Sequence, residues 1–332
     1  MTSKIRFGII GCSSIAKKLA IPAILNSKNS TLEMIGSRTL NKSKKFAKEF
    51  SCNEFGTYDD VLENNNIDAV YISLPMSLHE KWAIKAAKSG KHILCEKSTA
   101  LSYKSAKKII NECKKNNVQI IENFIFKCHP QHKKIMDMII KNRIGTIQTF
   151  SAKYGFNLPL NKKNFRFNKK LGGGSLNDVG CYLIAACLFV LKDLPTSVFC
   201  NLEINKKLDI DIRGNIMLTF PQNKIGLLSF GYDNYFQSMY DLWGSKGMIK
   251  SERAFNVTKN MQTIVNLHQN DKIKKILISP SNQFRLSIDD FCNKIKNHSK
   301  NNNFKNEFLN HALIMDAARK SSENNTIIKI KI

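Results

Sequence analysis

Apolar and polar positions along residues 1–122 alternate between two periods. Short apolar runs that predict buried strands are separated by stretches in which apolar residues recur at helical spacing. Strands and helices that alternate in this way indicate βαβ units, and right-handed crossovers then give a doubly wound parallel sheet. The predicted strands are 4–10, 31–37, 68–74, 92–95 and 118–122, and the predicted helices are 14–26, 41–50, 78–88 and 102–115.

The pattern changes beyond residue 145, where longer segments alternate with period two. A turn signal, Pro221-Gln222-Asn223, separates two of these segments. Successive strands joined by short turns predict an open, mainly antiparallel sheet with one buried face. We therefore predict an α/β chain with a second, α+β domain over 123–332. Its predicted strands are 146–156, 197–204, 214–220, 224–232 and 237–243, and its predicted helices are 175–191, 282–297 and 306–321.

The charge balance restricts the possible partners. Lys and Arg number 52 against 26 Asp and Glu, a net charge of +26, and 44 of the basic residues are Lys spread along the chain. Readout of nucleic acid bases favours Arg, and the chain has no compact basic arm. We expect no nucleic acid partner but an attraction towards small molecules that carry phosphate.

Composition and cysteine usage indicate where the chain works. The longest apolar run, 182–191, is about half of a membrane span, and the N-terminus has no signal-peptide pattern. Nine Cys residues form no CxxC motif, which is typical of reduced thiols in a reducing compartment. We expect a soluble, cytoplasmic protein without a membrane partner.

A glycine-rich turn lies where the first predicted strand meets the first predicted helix. The motif Gly8-Ile-Ile-Gly11-Cys-Ser13-Ser-Ile-Ala16 fits G-x-G-x-x-G/A, with Ser13 in place of the middle glycine. Small residues here let the helix N-terminus approach a pyrophosphate. The motif therefore predicts a Rossmann dinucleotide-binding domain over 1–122, and its candidate contacts are Gly11, Cys12, Ser13, Ser14, Ile15 and Ala16.

The end of the second predicted strand indicates which dinucleotide binds. NAD sites usually carry Asp or Glu there, whereas this chain has Gly36-Ser37-Arg38-Thr39 followed by Lys42. A hydroxyl and a guanidinium suit a 2′-phosphate. Ser37 and Arg38 favour NADP over NAD, although a solvated basic turn is the alternative.

Further motifs follow the later strands, and together they resemble one family. The chain has Leu74-Pro-Met-Ser-Leu-His79, then Gly90-Lys-His-Ile-Leu-Cys-Glu96-Lys97-Ser98, and then Gly172-Gly-Gly-Ser-Leu-Asn-Asp178-Val-Gly-Cys-Tyr182. In this order they resemble the Gfo/Idh/MocA oxidoreductases, with greatest similarity to the NADP-dependent sugar-nucleotide 3-ketoreductases of deoxysugar biosynthesis. One departure is Ser98, where the family has proline.

The resemblance implies a function and a set of site residues. It implies reduction of a keto group on a nucleotide-linked deoxysugar, such as a dTDP-hexose, with Lys97 and Tyr182 beside the carbonyl. Hydride addition leaves an alkoxide that needs a proton donor, and Asp178 shares a helix face with Tyr182. Core packing is the alternative for Tyr182, and a surface position is the alternative for Arg166. The resemblance further assigns to the cofactor Tyr58, Leu74, His79, Glu96, Lys97 and Arg166.

Other interpretations remain open at this point. An NAD(P)-dependent aldose or dihydrodiol dehydrogenase would use the same fold, and a catalytically silent NADP-binding regulator would need neither Lys97 nor Tyr182. Tyr232, Tyr235 and Tyr240 fit either a nucleotide-sugar cleft or a core. Cys128, His129 and His132 lack the second pair that zinc requires, so we expect no metal.

The second domain is expected to bind substrate and to form oligomers. Its open sheet predicts a homo-oligomer, a dimer or tetramer, formed by face packing. The sugar, its nucleotide, the reduced carbon and the physiological direction stay open.

Overall fold

The computed structural model describes residues 4–161, 164–297 and 303–331. The chain forms two compact units, each built from two separated stretches. Unit 1 comprises Met1–Ile125 and Phe284–Leu309, and unit 2 comprises Phe126–Gln283 and Asn310–Ile332. The units are defined by packing, so the division into functional domains after residue 122 stays a prediction.

Unit 1 contains the parallel sheet. Its strands are β1 (Ile5–Ile10), β2 (Ser30–Gly36), β3 (Glu54–Gly56), β4 (Ala69–Ile72), β5 (His92–Cys95) and β6 (Ile120–Glu122), and its first helices are α1 (Ile21–Asn26), α2 (Leu40–Glu49), α3 (Tyr58–Glu63), α4 (His79–Lys88) and α5 (Tyr103–Lys115). The described strands pair in the order β3-β2-β1-β4-β5-β6, all parallel. The order reverses between β1 and β4, and ligands of such sheets bind at the carboxyl ends of strands at that point. This confirms the predicted doubly wound α/β fold.

The strand β3 and the helix α3 are the elements of this sheet region that the hydrophobic pattern does not predict. β3 is short, and two of its three residues are exposed at the sheet edge. Thr57 Oγ1 accepts a hydrogen bond from the Asp60 N–H, and the Asp60 carboxylate accepts one from the Thr57 N–H. This capping box starts α3, and its T-x-x-D spacing is a local signal that periodicity overlooks.

Unit 2 contains the larger sheet. Its elements are α6 (Pro130–Ile140), β7 (Ile147–Asn157), α7 (Cys181–Leu191), β8 (Ser197–Asn205), β9 (Ile210–Thr219), β10 (Ile225–Gly231), β11 (Asp233–Gly244), β12 (Gly247–Ser251), β13 (Thr263–Gln269) and β14 (Lys272–Ile278). Neighbouring strands are antiparallel, except that β10 and β7 run parallel. The predicted open, mainly antiparallel sheet is confirmed.

The last elements are shared between the units. They are α8 (Gln283–Lys296), α9 (Asn303–Asn324) and β15 (Ile328–Lys329). β15 pairs with β8 and extends the second sheet to the order β14-β13-β12-β11-β7-β10-β9-β8-β15. The helix α8 packs into unit 1, where Phe291 lies 5.7 Å from the ring of Phe7 in β1. The core of unit 1 is therefore completed by residues far from it in sequence.

Among the described residues, one helical stretch is long and apolar enough to cross a membrane by length and composition, namely Lys169–Leu191. It is longer than the apolar run 182–191 because a π-helical turn, Leu176–Gly180, precedes α7. Its most apolar window is 72% buried within the protein. Because α7 also packs against β7 and β10, we assign this stretch to the core of unit 2.

Candidate active site

The glycine turn closes the end of β1 against two neighbouring strands. Gly11 has φ +112°, and a Cβ placed there would lie 2.8 Å from Leu74 Cδ2 and 3.0 Å from the Ser73 carbonyl oxygen. Its N–H donates to the Gly36 oxygen at 3.2 Å, and Ser73 Oγ donates to the Gly11 oxygen at 2.9 Å. Both the backbone conformation and the close approach therefore require glycine.

Ser13 supports the helix that follows this turn. Its Oγ accepts a hydrogen bond from the Ala16 N–H at 3.0 Å, which satisfies one of the donors at the helix start. The helix then runs through a π-helical turn, Ala16–Ala20, into α1. Of the other predicted contacts in the turn, Cys12 is buried, Ile15 is partly buried and Ser14 is exposed.

The predicted adenosine end forms beside the end of β2. Arg38 is exposed there, whereas Ser37 is buried with its hydroxyl beside the Cys12 thiol. Tyr58 packs edge-on against Trp82, with ring centroids 4.8 Å apart. Burial raises the pKa of Tyr58, and the nearby Arg38 guanidinium opposes this shift. Arg38 and Tyr58 thus lie close together at this strand end.

Glu96 lies in a buried hydrogen-bond network at the ends of three strands. Its Oε1 accepts hydrogen bonds from Tyr71 Oη at 2.7 Å and from Asn123 Nδ2 at 2.8 Å. Asn123 Oδ1 in turn accepts one from Ser287 Oγ of α8 at 2.7 Å. Burial raises the pKa of Glu96, and its hydrogen-bond donors and Lys97 oppose that shift. The network holds the carboxylate in one orientation.

Tyr71, Asn123 and Ser287 are residues that the sequence analysis does not assign to the site. Asn123 directly follows β6, so its place at the strand ends is a signal that the sequence does contain. Ser287 has no such signal, because it reaches the network from α8.

The backbone around Lys97 is anchored on both sides. After it, the Ser98 oxygen lies 2.9 Å from His79 Nδ1, and the Thr99 N–H donates to Glu122 Oε1 at 2.7 Å. The peptide bond between Lys97 and Ser98 is cis. Burial lowers the pKa of His79, whose side chain is fully buried.

Asp178 and Arg166 form an ion pair in unit 2. Asp178 lies in the π-helical turn before α7, and its Oδ2 accepts a hydrogen bond from Arg166 Nε at 2.6 Å. The side chain of Asp178 is 4% exposed and that of Arg166 is 33% exposed, so the carboxylate is withdrawn from water while the guanidinium stays partly accessible. Burial alone would lower the pKa of Arg166, but the Asp178 carboxylate outweighs it and the net shift is upward. Arg166 therefore holds the Asp178 carboxylate, which follows the glycines at 172–174.

Tyr182 is partly buried and packs against other aromatic rings. Its ring centroid lies 5.4 Å from that of Tyr154, 5.9 Å from Phe255 and 6.0 Å from Phe126. The packing fixes the ring plane and leaves part of the side chain accessible. Tyr154 and Phe255 carry no motif and are absent from the sequence-based site.

The turn before the π-helical turn and α7 is supported by the buried carboxylate of Asp211. Gly174 has φ +116°, and its Cβ would collide with Asp211 Oδ1. Asp211 Oδ2 accepts hydrogen bonds from Ser175 Oγ and the Leu176 N–H, and burial raises its pKa. Tyr232 Oη donates to the Gly174 oxygen at 2.9 Å. Asp211 and Tyr232 thereby fix the turn from which Asp178 and Tyr182 project.

The remaining tyrosines differ in exposure. Tyr240 is buried and bonded to His132, while Tyr235 is 88% exposed. Core packing therefore accounts for Tyr232 and Tyr240.

The histidines near residue 130 have structural partners. His132 Nδ1 lies 2.8 Å from Tyr240 Oη, and its Nε2 lies 3.0 Å from the Ala254 oxygen. His129 caps α6 by accepting a hydrogen bond from the Gln131 N–H. Across residues 4–161, 164–297 and 303–331, no cluster of three or more His, Cys, Asp or Glu side chains is arranged to hold a metal ion.

The described units therefore bring together two groups of predicted residues. In unit 1, the glycine turn, Arg38, Leu74 and Glu96 all follow ends of parallel strands. In unit 2, Asp178, Tyr182 and Arg166 surround the start of α7.

Two family models match most of the chain. Residues 5–124 match the model described as "Oxidoreductase family, NAD-binding Rossmann fold", and residues 132–250 match "GFO/IDH/MocA C-terminal domain".

Similar proteins include sugar reductases and dehydrogenases. The chain is 31% identical over 316 residues, 95% of each chain, to a dTDP-3,4-didehydro-2,6-dideoxy-alpha-D-glucose 3-reductase of Actinomadura kijaniata. It is 24% identical over 325 residues, 98% of this chain and 99% of the other, to a D-xylose 1-dehydrogenase (NADP(+)) of Haloferax volcanii. Among solved structures, a 3-ketoreductase from Actinomadura kijaniata in complex with NADP and TDP-benzene superposes with a TM-score of 0.91. The identity there is 29%, covering 96% of this chain and 98% of the other.

Proposed function

The chain belongs to the Gfo/Idh/MocA family of oxidoreductases, and we propose that it reduces a keto group of a nucleotide-linked deoxysugar with NADPH. The observation that carries this proposal is the likeness to the 3-reductase of Actinomadura kijaniata, which extends over 95% of both chains. The family assignment predicted from the motifs is confirmed by both family models.

The residues of unit 1 fit NADP. The glycine turn and the helix after it suit a pyrophosphate, and the end of β2 presents Arg38 rather than a carboxylate. The solved relative holds NADP as well. We assign to the cofactor the contacts listed from the sequence, with Arg38 at the 2′-phosphate, apart from His79, whose fully buried ring faces backbone oxygens.

The proposed reaction uses two side chains beside the substrate carbonyl. Bound NADPH would supply a hydride to the carbonyl carbon, which leaves an alkoxide that must be protonated. Tyr182 is suited to donate this proton, because its ring is fixed by packing while it remains partly accessible. Lys97 would stabilise the developing negative charge or pass on a proton.

Asp178 and Arg166 are proposed to orient the substrate near Tyr182. Asp178 lies four residues before Tyr182 on one continuous helical stretch, so both face the same side. Arg166 Nε donates to Asp178 Oδ2 at 2.6 Å, so we assign to Arg166 first the role of positioning the Asp178 carboxylate. A direct contact between Arg166 and a cofactor phosphate stays a prediction.

A dehydrogenase of free aldoses is the second candidate function. It is favoured by the likeness to the D-xylose 1-dehydrogenase of Haloferax volcanii, which covers nearly both chains. The reaction would use the same side chains in the oxidative direction, with Tyr182 or Lys97 accepting the proton. A silent regulator is disfavoured, because it has no chemical need for Lys97, Asp178 and Tyr182 together.

We also place the protein in the cytoplasm and propose that it forms a homo-oligomer through the open sheet of unit 2. The helix α7 covers the face that carries Phe150 and Leu228, whereas Leu227 and Trp243 on the other face are 45% and 62% exposed. A broad face with exposed apolar side chains is suited to bind a second copy.

The decisive experiment compares turnover by the protein and its Tyr182→Phe variant. The substrate is the dTDP-3,4-didehydro-2,6-dideoxyglucose named for the relatives, and NADPH oxidation is followed by absorbance. Loss of a proton donor should lower kcat by roughly 10²- to 10⁴-fold while NADPH binding persists. The control is Tyr235→Phe, which removes an exposed phenol and should keep full turnover.

Two outcomes would contradict the proposal. Wild-type kcat in Tyr182→Phe would remove Tyr182 as the donor. Oxidation of D-xylose with NADP⁺, without any turnover of the keto sugar, would establish the second candidate instead.

A further inference from the structure

His79 links two loops of unit 1 that follow different strands. It begins α4, and its side chain is fully buried. Its Nδ1 lies 2.9 Å from the Ser98 oxygen, and its Nε2 lies 2.9 Å from the Leu74 oxygen. Leu74 follows β4 and Ser98 follows β5, so one imidazole ring spans the ends of two adjacent strands.

The chemistry of these contacts requires hydrogen on the ring. A carbonyl oxygen only accepts, so each ring nitrogen bonds it by carrying a hydrogen. Because burial lowers the pKa of His79, the ring is neutral at pH 7 and donates to one carbonyl at a time, and with its hydrogen on Nδ1 it donates to the Ser98 oxygen. A side chain without N–H groups at this position would leave both carbonyl oxygens facing carbon atoms.

The Leu74 side of this link has other support. The Ser73 N–H donates to the Ile10 oxygen at 3.0 Å, and the Leu78 N–H donates to the Pro75 oxygen at 2.9 Å. Leu74 itself contacts the glycine turn. The Leu74 loop therefore has supports that do not depend on the imidazole.

On the β5 side, the anchors bracket Lys97. Glu96 is fixed by Tyr71 and Asn123 before it, and the Ser98 oxygen is fixed by His79 directly after it. The Ser98 oxygen is thus a fixed point directly after Lys97.

We propose that His79 is a positioning residue that sets the location of the Lys97 amine by holding the Ser98 carbonyl. The inference rests on the proposed function, in which Lys97 acts at the substrate carbonyl. It differs from a role in binding the cofactor, because the ring is fully buried and both its nitrogens face backbone oxygens.

The test combines kinetics with a chemical label. His79→Phe keeps a flat ring and removes both N–H groups, and His79→Gln restores an amide donor. We expect kcat to fall roughly 10- to 100-fold in His79→Phe, as for a small displacement of a catalytic group, with partial recovery in His79→Gln. The dissociation constant of NADPH, measured by fluorescence, should change much less.

The labelling arm needs neither substrate nor turnover. The amines are acylated in the folded protein, and mass spectrometry gives the rate at Lys97 relative to Lys91. Lys91 is an internal reference, because its Nζ donates to the oxygens of Asn64 and Ile67 at 2.8 and 2.9 Å. Local displacement should change only the Lys97 rate, whereas general unfolding would raise both.

The outcomes are separable. Unchanged kcat in His79→Phe, a loss of kcat without a change at Lys97, or equal increases at Lys97 and Lys91 would each overturn the role of His79. Full activity in a Lys97→Met variant would instead overturn the catalytic role of Lys97, and absence of keto-sugar turnover by the wild type would overturn the proposed function.

Discussion

His132 is a buried residue whose protonation is linked to the stability of unit 2. Because the Ala254 oxygen only accepts, Nε2 carries the hydrogen, and Nδ1 accepts from Tyr240 Oη. Both ring nitrogens are therefore satisfied in the neutral form. Burial lowers the pKa of His132 to about 3 from an ordinary 6.5.

The sign of the resulting pH dependence follows from this lowered pKa. Between pH 6.5 and about 3, His132 is protonated in the unfolded chain but stays neutral in the folded protein. The contribution of His132 to the free energy of unfolding is thus fully present above pH 6.5. It declines as the pH falls, by at most about 1.4 kcal/mol per pH unit. In urea unfolding, the advantage of the wild type over His132→Gln should shrink between neutral and mildly acidic pH.

The control for this measurement is Tyr240→Phe, which removes the hydrogen bond to Nδ1 but keeps the buried imidazole. It should lose stability and retain the pH dependence of the wild type. A constant difference between wild type and His132→Gln across the pH range would contradict the assignment.

At the same scale, motifs contain the side chains that we propose as reactive, but not the residues that support them. Glu96 and Lys97 are adjacent in sequence, and Asp178 and Tyr182 are one helical turn apart, so short patterns contain them. Asn123 and Ser287 are 164 positions apart and meet only in the fold. Such contacts depend on tertiary packing, to which local periodicity is insensitive.

At the scale of elements, the carboxyl ends of the parallel strands position the residues that we propose for the cofactor. The second strand of the sheet ends at Gly36, and Arg38 lies exposed just beyond it, beside the partly shielded phenol of Tyr58. The order of strands places this end next to the glycine turn after β1. A guanidinium here is suited to bind the 2′-phosphate that distinguishes NADP from NAD.

The Arg38→Ala variant tests this placement. Loss of charge-assisted hydrogen bonds should weaken NADPH binding by roughly 10- to 100-fold and leave NADH binding nearly unchanged. Fluorescence titration with both cofactors measures the two constants. Lys48→Ala removes one positive charge from the exposed side of α2 and should preserve the preference for NADPH. Equal losses for NADPH and NADH in Arg38→Ala would contradict the role of Arg38.

Several elements of unit 2 lie outside the sequence-based prediction, each for a physical reason. The strand β14 is rich in Lys and largely exposed, so its apolar alternation is weak. The hairpin that joins it to β13 turns at Asn270 and Asp271, both with positive φ. Asn-Asp is a suitable pair for such a turn, and it is the signal that the period-two pattern does not capture. Short edge strands and polar helices depend on capping and turn chemistry more than on periodicity.

At the scale of the whole molecule, the open face of the second sheet determines the proposed assembly. Leu227 in β10 pairs with Met217 in β9, and Thr149 in β7 pairs with Trp243 in β11. Met217, Leu227 and Trp243 are 39%, 45% and 62% exposed. Leu227 and Met217 lie side by side on β10 and β9, and Trp243 lies on the same face of β11, with Thr149 of β7 between them. We propose that a second copy binds to this face.

A Trp243→Lys variant should therefore shift the protein to a lower mass in size exclusion with light scattering, because a charge would be buried at the interface. NADPH binding should persist, since Trp243 lies in unit 2. Ile140→Lys makes the same change at a side chain that is 73% exposed at the end of α6, and it should leave the mass unchanged. A wild-type profile at monomer mass would contradict the assembly.

The packing of α8 has a consequence for how the chain is made. Phe284, Ile288 and Phe291 belong to the same buried cluster as Phe7 and Tyr71, and Ser287 completes the network around Glu96. The ribosome releases residues 1–125 long before it reaches this helix. Part of the core of unit 1 therefore stays exposed to solvent while nearly the whole second sheet is synthesised. The buried network around Glu96, next to Lys97, is therefore completed only after α8 has been synthesised.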